Sequence, residues 1–257
     1  SEHLGRFPVV MISPGDHVLL HGGSEVRRKF MDAVIAQSDR GYLDALQNYQ
    51  RALKQRNALL KYFAANRTFQ ADMLELYDHQ LSEYAPVIFA ARSAFAAQFT
   101  PMLQEAYEGI SGGREQVELR YESLLAEQSM ADLLAERLSK DRVLQFTSAG
   151  PHREDLDFTL LGHPLQRVGS QGQQKSFLIA LKLAAFEVLH QALGRKPILL
   201  LDDVFDKLDA QRVEGLIRMV NDHRFGQIFV SDTHPERTAE LLKALDQESV
   251  VHELTHS

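Results

Sequence analysis

Cysteine and tryptophan are both absent from the 257 residues. Without cysteine the chain can form neither a disulfide nor a thiolate-ligated zinc site, which excludes the small disulfide-framed class and fits a reducing compartment. No uninterrupted apolar run approaches the roughly 18 residues of a membrane-spanning helix, and no basic-then-apolar leader pattern opens the sequence. The expected location is therefore the cytoplasm, with no membrane partner. Cationic charge is also scarce, 28 Lys and Arg against 35 Asp and Glu, for a formal net charge of −7. Nucleic-acid binding usually comes with a basic surface, so any DNA contact must be a local patch, or depend on a partner or on further residues. A phosphate-cradling loop is missing too. Residues 169–176 approach the Gly-x-x-x-x-Gly-Lys-Ser pattern, but its sixth position is Gln174, where the backbone cradle needs glycine.

What is present is a folded-domain composition, 44% apolar and 25% charged, in a chain long enough for one large or two modest cores. The stretch from Val168 to Thr233 carries most of the chemistry. Ile198 to Leu201 form an apolar run that follows Pro197 and ends in Asp202 and Asp203. This is the pattern of a buried parallel strand, whose C-terminal edge is where α/β sheets bind ligands. Paired carboxylates there suit Mg²⁺, which takes one or two protein oxygens beside substrate phosphates. Asp202 is expected to hold the metal and Asp203 to orient or deprotonate a water; the alternative is that both cap the next turn. Upstream, Ser170, Gln171, Gly172 and Gln173 open a helix whose apolar positions include Phe177, Leu181, Ala184 and Val188. Free N–H groups and a partial positive charge at that end suit a phosphate.

The helix beginning Ser-Gln-Gly-Gln-Gln-Lys, the Leu-Leu-Leu-Asp-Asp-Val-Phe strand and the Leu208-Asp209 turn together resemble, in chain order, the ABC-type ATPase head. Their wording is similar to the RecF family. So are Gly5–Asp16, Arg27–Asp32, Tyr49–Lys61 and Gly150–Asp155, which extend the resemblance over nearly the whole chain. The resemblance implies an α/β fold, part of an ABC-type ATPase head with a lateral α-helical arm. Residues 1–40 would lead from the head into the arm, 41–110 would form the arm, and 111–257 a head lobe. It also implies a P-loop upstream of residue 1, so the chain is expected to be a RecF-like protein without its N-terminal nucleotide-binding portion, inactive alone. Implied cofactors are ATP and Mg²⁺. Implied partners are DNA at single-stranded gaps, RecR and RecO, and a second copy joined by ATP-dependent dimerisation, in a pathway that helps load RecA.

On this resemblance Asp202 is the metal ligand and Asp203 the catalytic carboxylate. Ser170 and Gly172, with Gln171 and Gln173, cover the nucleotide of the other subunit. Asp209 lies in the D-loop and would equally serve as an N-cap. The switch position that senses the γ-phosphate falls to Asp232 or His234, and Asp16 stands nearest the Q-loop or in a plain turn. Two rivals remain: an SMC-like protein, which would need far longer heptad arms than about 60 residues, and a non-catalytic interaction module.

Elsewhere, Phe7–Ile12 reads as a strand. Arg27, Arg28 and Lys29 either contact phosphate or form a solvated face. Helical periodicity over Tyr42–Phe63 places Leu46, Tyr49, Leu53, Leu60 and Phe63 on one seam, which Arg56 completes. A second seam runs through Leu74, Tyr77, Leu81, Tyr84, Ile88, Ala91 and Phe95, with Pro86 expected to bend or restart its helix. Arg51, Lys54, Arg56 and Lys61 give the first helix a basic bias and make it the preferred DNA-facing element, a solvated basic face being the alternative. Ser111-Gly-Gly113 mimics an ABC signature but precedes a strand-like Val117–Tyr121, so a turn is expected. A charged helix over Ala131–Arg142 and a hairpin through Gly162 follow, with His152 and Arg153 either near phosphate or in an ordinary turn. A closing helix over Glu236–Leu245 and a short strand over Val250–Leu254 complete the expectations.

Overall fold

A computed structural model describes residues 7–113, 115–206, 208–221, 225–232 and 249–252. The expected closing helix lies outside these residues; of the expected final strand, residues 250–252 are described and form no strand, and 253–254 lie outside them. In chain order the elements begin with β1 (Val9–Ile12), a 3-10 turn at Pro14–His17, α1 (Val18–His21), α2 (Ser24–Ser38), α3 (Arg40–Asn66) and α4 (Asp72–Ser111). Next come β2 (Val117–Glu122), α5 (Met130–Leu144), β3 (Asp155–Leu160), β4 (His163–Pro164) and α6 (Leu165–Val168). The chain then enters α7 (Gln171–Leu193), β5 (Ile198–Asp202), α8 (Ala210–Asn221) and β6 (Ile228–Ser231).

Two small sheets frame the body. β1, β5 and β6 are parallel in that order, and β2, β3 and β4 are antiparallel in that order. Strand alternation sends Val10, Ile12, Leu199 and Leu201 into the core beneath α7, while Val9, Met11 and Phe229 remain exposed on the opposite face. α7 is apolar nearly all round, with an 18-residue window of mean hydropathy 1.4. By length and composition it could cross a membrane, yet 67% of that window is buried inside the fold, as in the central helix of a packed core.

The arm is an antiparallel pair. Asp39 caps α3 by accepting from the Tyr42 amide at 2.8 Å, and Arg67, at φ 52°, ends it in the left-handed region. α4 then runs 40 residues, about 60 Å at 1.5 Å per residue. It contains Pro86 and Pro101 and does not restart at Pro86. Leu81, Ala85 and Ile88 are fully buried on either side of that proline, so packing carries the helix across the missing N–H. The helix ends at Gly112, φ 75°, in the turn expected of the Ser-Gly-Gly sequence. One large core extends from β1 and β5 through α7 and α4 into the root of α3; Leu60, Phe63 and Leu74 make a smaller one near the arm tip.

Charged groups tie this arm to the body. Arg92 on α4 is 2% exposed and donates to both oxygens of Asp32, to the Tyr42 hydroxyl, to Glu154 at 2.7 Å and to the Pro151 carbonyl at 2.7 Å. Burial opposes its charge, but Tyr42 and the two carboxylates more than offset this and hold its pKa above the ordinary guanidinium value. Arg56 on α3 is likewise buried between Asp78, 2.6 Å, and Asp141, 2.7 Å.

His152 closes the same junction. Its Nε2 meets the Thr147 carbonyl at 2.8 Å, which can only accept, so Nδ1 accepts the Tyr49 hydroxyl proton at 2.8 Å. Burial lowers its pKa from 6.5 to about 4. The unfolded chain therefore takes up a proton that the folded chain refuses. The stabilisation is fully present above pH 6.5 and is lost as pH falls through about 4, at most roughly 3 kcal/mol. Urea titrations between these limits should show that loss, and His152→Gln should flatten it. An unchanged pH slope in the variant would contradict the assignment.

Candidate functional site

β5 delivers its carboxylates to the sheet edge as its apolar run requires. Asp202 is the last residue of the strand and pairs with Ser231 of β6, whose hydroxyl donates to Asp202 Oδ1 at 2.7 Å. Asp203 turns the chain out of the strand at φ 48°, in the left-handed region that costs a non-glycine residue about 1 kcal/mol. Two backbone bonds hold it there: its amide donates to the Ser231 carbonyl at 3.0 Å, and its own carbonyl accepts from Lys175 Nζ at 2.9 Å. Lys175 stands in the first turns of α7, so the helix start and the Asp202-Asp203 edge are physically joined.

The start of α7 is a reciprocal capping box. The Gln173 amide donates to Ser170 Oγ at 3.3 Å, and the Ser170 amide donates to Gln173 Oε1 at 2.8 Å. Ser170 and Gln171 are exposed, whereas Gly172 and Gln173 are half-buried. Gln173 also donates to Glu115 Oε1 at 2.9 Å. Glu115 is paired with Arg212 of α8 at 3.0 Å and accepts from the Tyr107 hydroxyl. Burial works against its ionisation, but these hydrogen bonds outweigh it and keep its pKa below the ordinary carboxylate value.

Asp209 caps α8, its Oδ1 accepting the Arg212 amide at 2.9 Å, and its second oxygen lies 3.4 Å from Arg212 Nε. Asp16 is also engaged by α7. Lys182 Nζ lies 2.7 Å from Asp16 Oδ1 and 3.0 Å from the Met11 carbonyl at the end of β1. Asp232 follows β6 at the same edge as Asp202 and is half-buried; His234 lies outside the described residues.

The basic residues divide. Arg51, Lys54 and Lys61 are exposed along α3, but Arg56 is fully buried. Its placement on a DNA-facing surface is therefore corrected: helical period puts it on the seam with Tyr49, Leu60 and Phe63, where two aspartates neutralise it. The Arg27-Arg28-Lys29 run splits similarly, around the helix. Arg27 grips Asp155 through two bonds of 2.7 and 2.8 Å, Arg28 donates to the Glu154 carbonyl, and only Lys29, paired with Glu25, stands at the surface. Arg153 stacks on Phe146 at 4.6 Å.

Sequence reasoning missed Lys182, Glu115 and Arg212 and gave Lys175 no role. The near P-loop pattern flagged the position of Lys175, but nothing local signals a contact between Glu115 and Arg212, 97 residues apart. Among the described residues no group of three or more His, Asp or Glu could enclose a metal ion. One strand-edge carboxylate such as Asp202 nevertheless fits Mg²⁺, which keeps most of its waters.

No family model matches the chain. Curated relatives do. The DNA replication and repair protein RecF of Flavobacterium johnsoniae is 53% identical over 247 residues, covering 96% of this chain and 69% of that protein. The proteins of the same name from Parabacteroides distasonis and Porphyromonas gingivalis are 46% and 43% identical, covering 67% and 69% of their lengths. A solved structure of the recombination mediator protein RecF with ATP in the RecFOR pathway matches with a TM-score of 0.80 at 30% identity, over 92% of this chain and 65% of that one. The chain thus spans about two thirds of the proteins it matches. With its Asp202-Asp203 strand and capped helix α7 on an α/β ABC-type ATPase head bearing a helical arm, the chain belongs to the RecF family of DNA replication and repair proteins.

Proposed function

We propose that a protein containing this chain, at the length of its relatives, is a DNA-binding ATPase of recombinational repair that acts at single-stranded gaps by ATP-dependent dimerisation. The observation that carries this reading is the joining of the Asp202-Asp203 edge to the start of α7 through Lys175. In it, Asp202, oriented by Ser231, supplies the protein oxygen for Mg²⁺, and Asp203 orients or deprotonates the attacking water. Bound Mg²⁺ would neutralise charge on the phosphates. Ser170, Gln171, Gly172 and the N-terminus of α7 face the nucleotide of a second copy, Asp209 approaches that interface, and Asp232 or His234 senses the γ-phosphate. Hydrolysis removes the attraction and releases the dimer. The 257 residues contain no phosphate cradle and are expected to hydrolyse ATP negligibly by themselves.

The proposal extends to residues 1–40 as the lead into the arm, 41–110 as the arm and 111–257 as the head lobe. It also includes RecO and RecR as partners, assistance to RecA loading, and a cytoplasmic location. Complementation with Asp203→Asn separates catalysis from scaffolding, since unchanged repair would sink the ATPase role. DNA contact is assigned to the exposed face of Arg51, Lys54 and Lys61. Lys54→Glu with Lys61→Glu should weaken gapped-DNA binding and lower the salt slope by about one per lost phosphate contact. Salt titrations that superimpose on those of the unsubstituted protein would remove α3 from the site.

A further inference from the structure

Two of the residues assigned to the subunit interface, Ser170 and Asp209, hang from one half-buried ion pair. Gln173 uses its Oε1 to cap Ser170 and its Nε2 to reach Glu115, so the capping box is anchored from outside its own helix. Arg212 answers from α8. Its Nη2 lies 3.0 and 3.2 Å from the two Glu115 oxygens, its Nη1 donates to Ser176 Oγ of α7 at 3.0 Å, and its Nε faces Asp209 at 3.4 Å. Both side chains are largely withdrawn from water, at 11% and 17% exposure, so the pair is weakly screened. The backbone enforces its register as well. A Cβ on Gly215 of α8 would lie 2.5 Å from the Gly109 carbonyl of α4, so these helices cross at a separation only glycine permits.

We propose that Glu115 and Arg212 are positioning residues that hold the start of the signature helix and the Asp209 turn as one unit, so that both present to a second copy together. Neither would touch nucleotide. The inference rests on the reading of Ser170 as a partner-facing residue. A guanidinium fork can engage Glu115, Ser176 and Asp209 at once, while an ammonium at the same position is a single point charge. Arg212→Lys therefore keeps the charge and loses the bridge. Glu115→Gln keeps the shape and loses the charge, and it remains informative if the arginine variant folds poorly.

The test uses the full-length protein and mixtures of its variants. Arg212→Lys and Glu115→Gln should each slow dimer-dependent ATP hydrolysis by about 10- to 100-fold, the usual effect of misplacing groups that must be aligned. Mg·ATP affinity of the dilute monomer should stay unchanged, a readout that general loss of structure would move. Mixing either variant with Asp203→Asn should restore hydrolysis, because in a mixed dimer the damaged signature side and the damaged carboxylate fall in the same site and leave the other site intact. Mixing it with Ser170→Arg should not. Wild-type hydrolysis by both variants, weakened monomer affinity, or restoration by Ser170→Arg would overturn the positioning role. If Ser170→Arg and Asp203→Asn fail to restore each other, the shared-site reading itself falls, and this inference with it.

Discussion

Asp203→Asn in a chain of the relatives' length is expected to slow ATP hydrolysis by about 10²-fold or more, the range lost with a general base, while Mg·ATP binding persists. The substitution is clean for a structural reason. Asp203 sits at φ 48°, a conformation asparagine tolerates as well as any non-glycine residue. Two of its bonds, from its amide to Ser231 and from Lys175 to its carbonyl, involve its backbone atoms, which the substitution leaves in place. Asparagine therefore keeps those two bonds and the left-handed turn while removing the negative charge. Alanine at the same place would add left-handed strain and confuse the outcome. Steady-state hydrolysis with a parallel binding titration checks the prediction, and undiminished turnover would move catalysis to another group.

Arg92→Met is expected to produce the largest loss of stability, about 3–5 kcal/mol, because it strands two carboxylates that were buried against one cation. Glu154 is 3% exposed and Asp32 16%, so neither regains full hydration when the guanidinium goes. That loss is a large share of the roughly 5–15 kcal/mol by which domains are stable. It falls at the joint where α2, α3, α4 and the entry to β3 meet, so the arm should lose its fixed attachment to the body. Arg92→Lys should fall between the two, retaining charge without the fork that reaches Asp32, Glu154 and the Pro151 carbonyl together. Urea denaturation of the three proteins measures the series. A cost below about 1 kcal/mol for methionine would contradict the structure at this junction.

Much of the fold was legible because periodicity is a local property. Tyr49, Leu60 and Phe63 marked the α3 seam, Leu81 and Ile88 the α4 seam, and the Ile198–Leu201 run marked a strand ending in carboxylates. Of the two expectations for Pro86, a bend or a restart, the restart does not occur, because the turns on either side of it are packed and carry the helix across the missing N–H. Charge was the less legible quantity. Arg56 was placed both on the seam and among the DNA-facing cations, and only the partners Asp78 and Asp141, from two other helices, show which applies. The capping box was written in Ser170 and Gln173, but the anchor behind it was not. Glu115 follows a glycine turn and Arg212 lies one helix beyond the aspartate strand, and no spacing rule links positions brought together only by tertiary packing.

The central claim is that one copy supplies Asp203 and another supplies Ser170 to the same nucleotide. Full-length Ser170→Arg and Asp203→Asn proteins, each inactive alone, should be mixed in equal amounts and assayed for ATP hydrolysis. Half of the dimers would then be mixed, each with one intact and one doubly damaged site, giving roughly a quarter of the unsubstituted rate. Recovery to about that level is the predicted result. A mixture as inactive as its components, with mixed dimers demonstrably formed, would contradict the account.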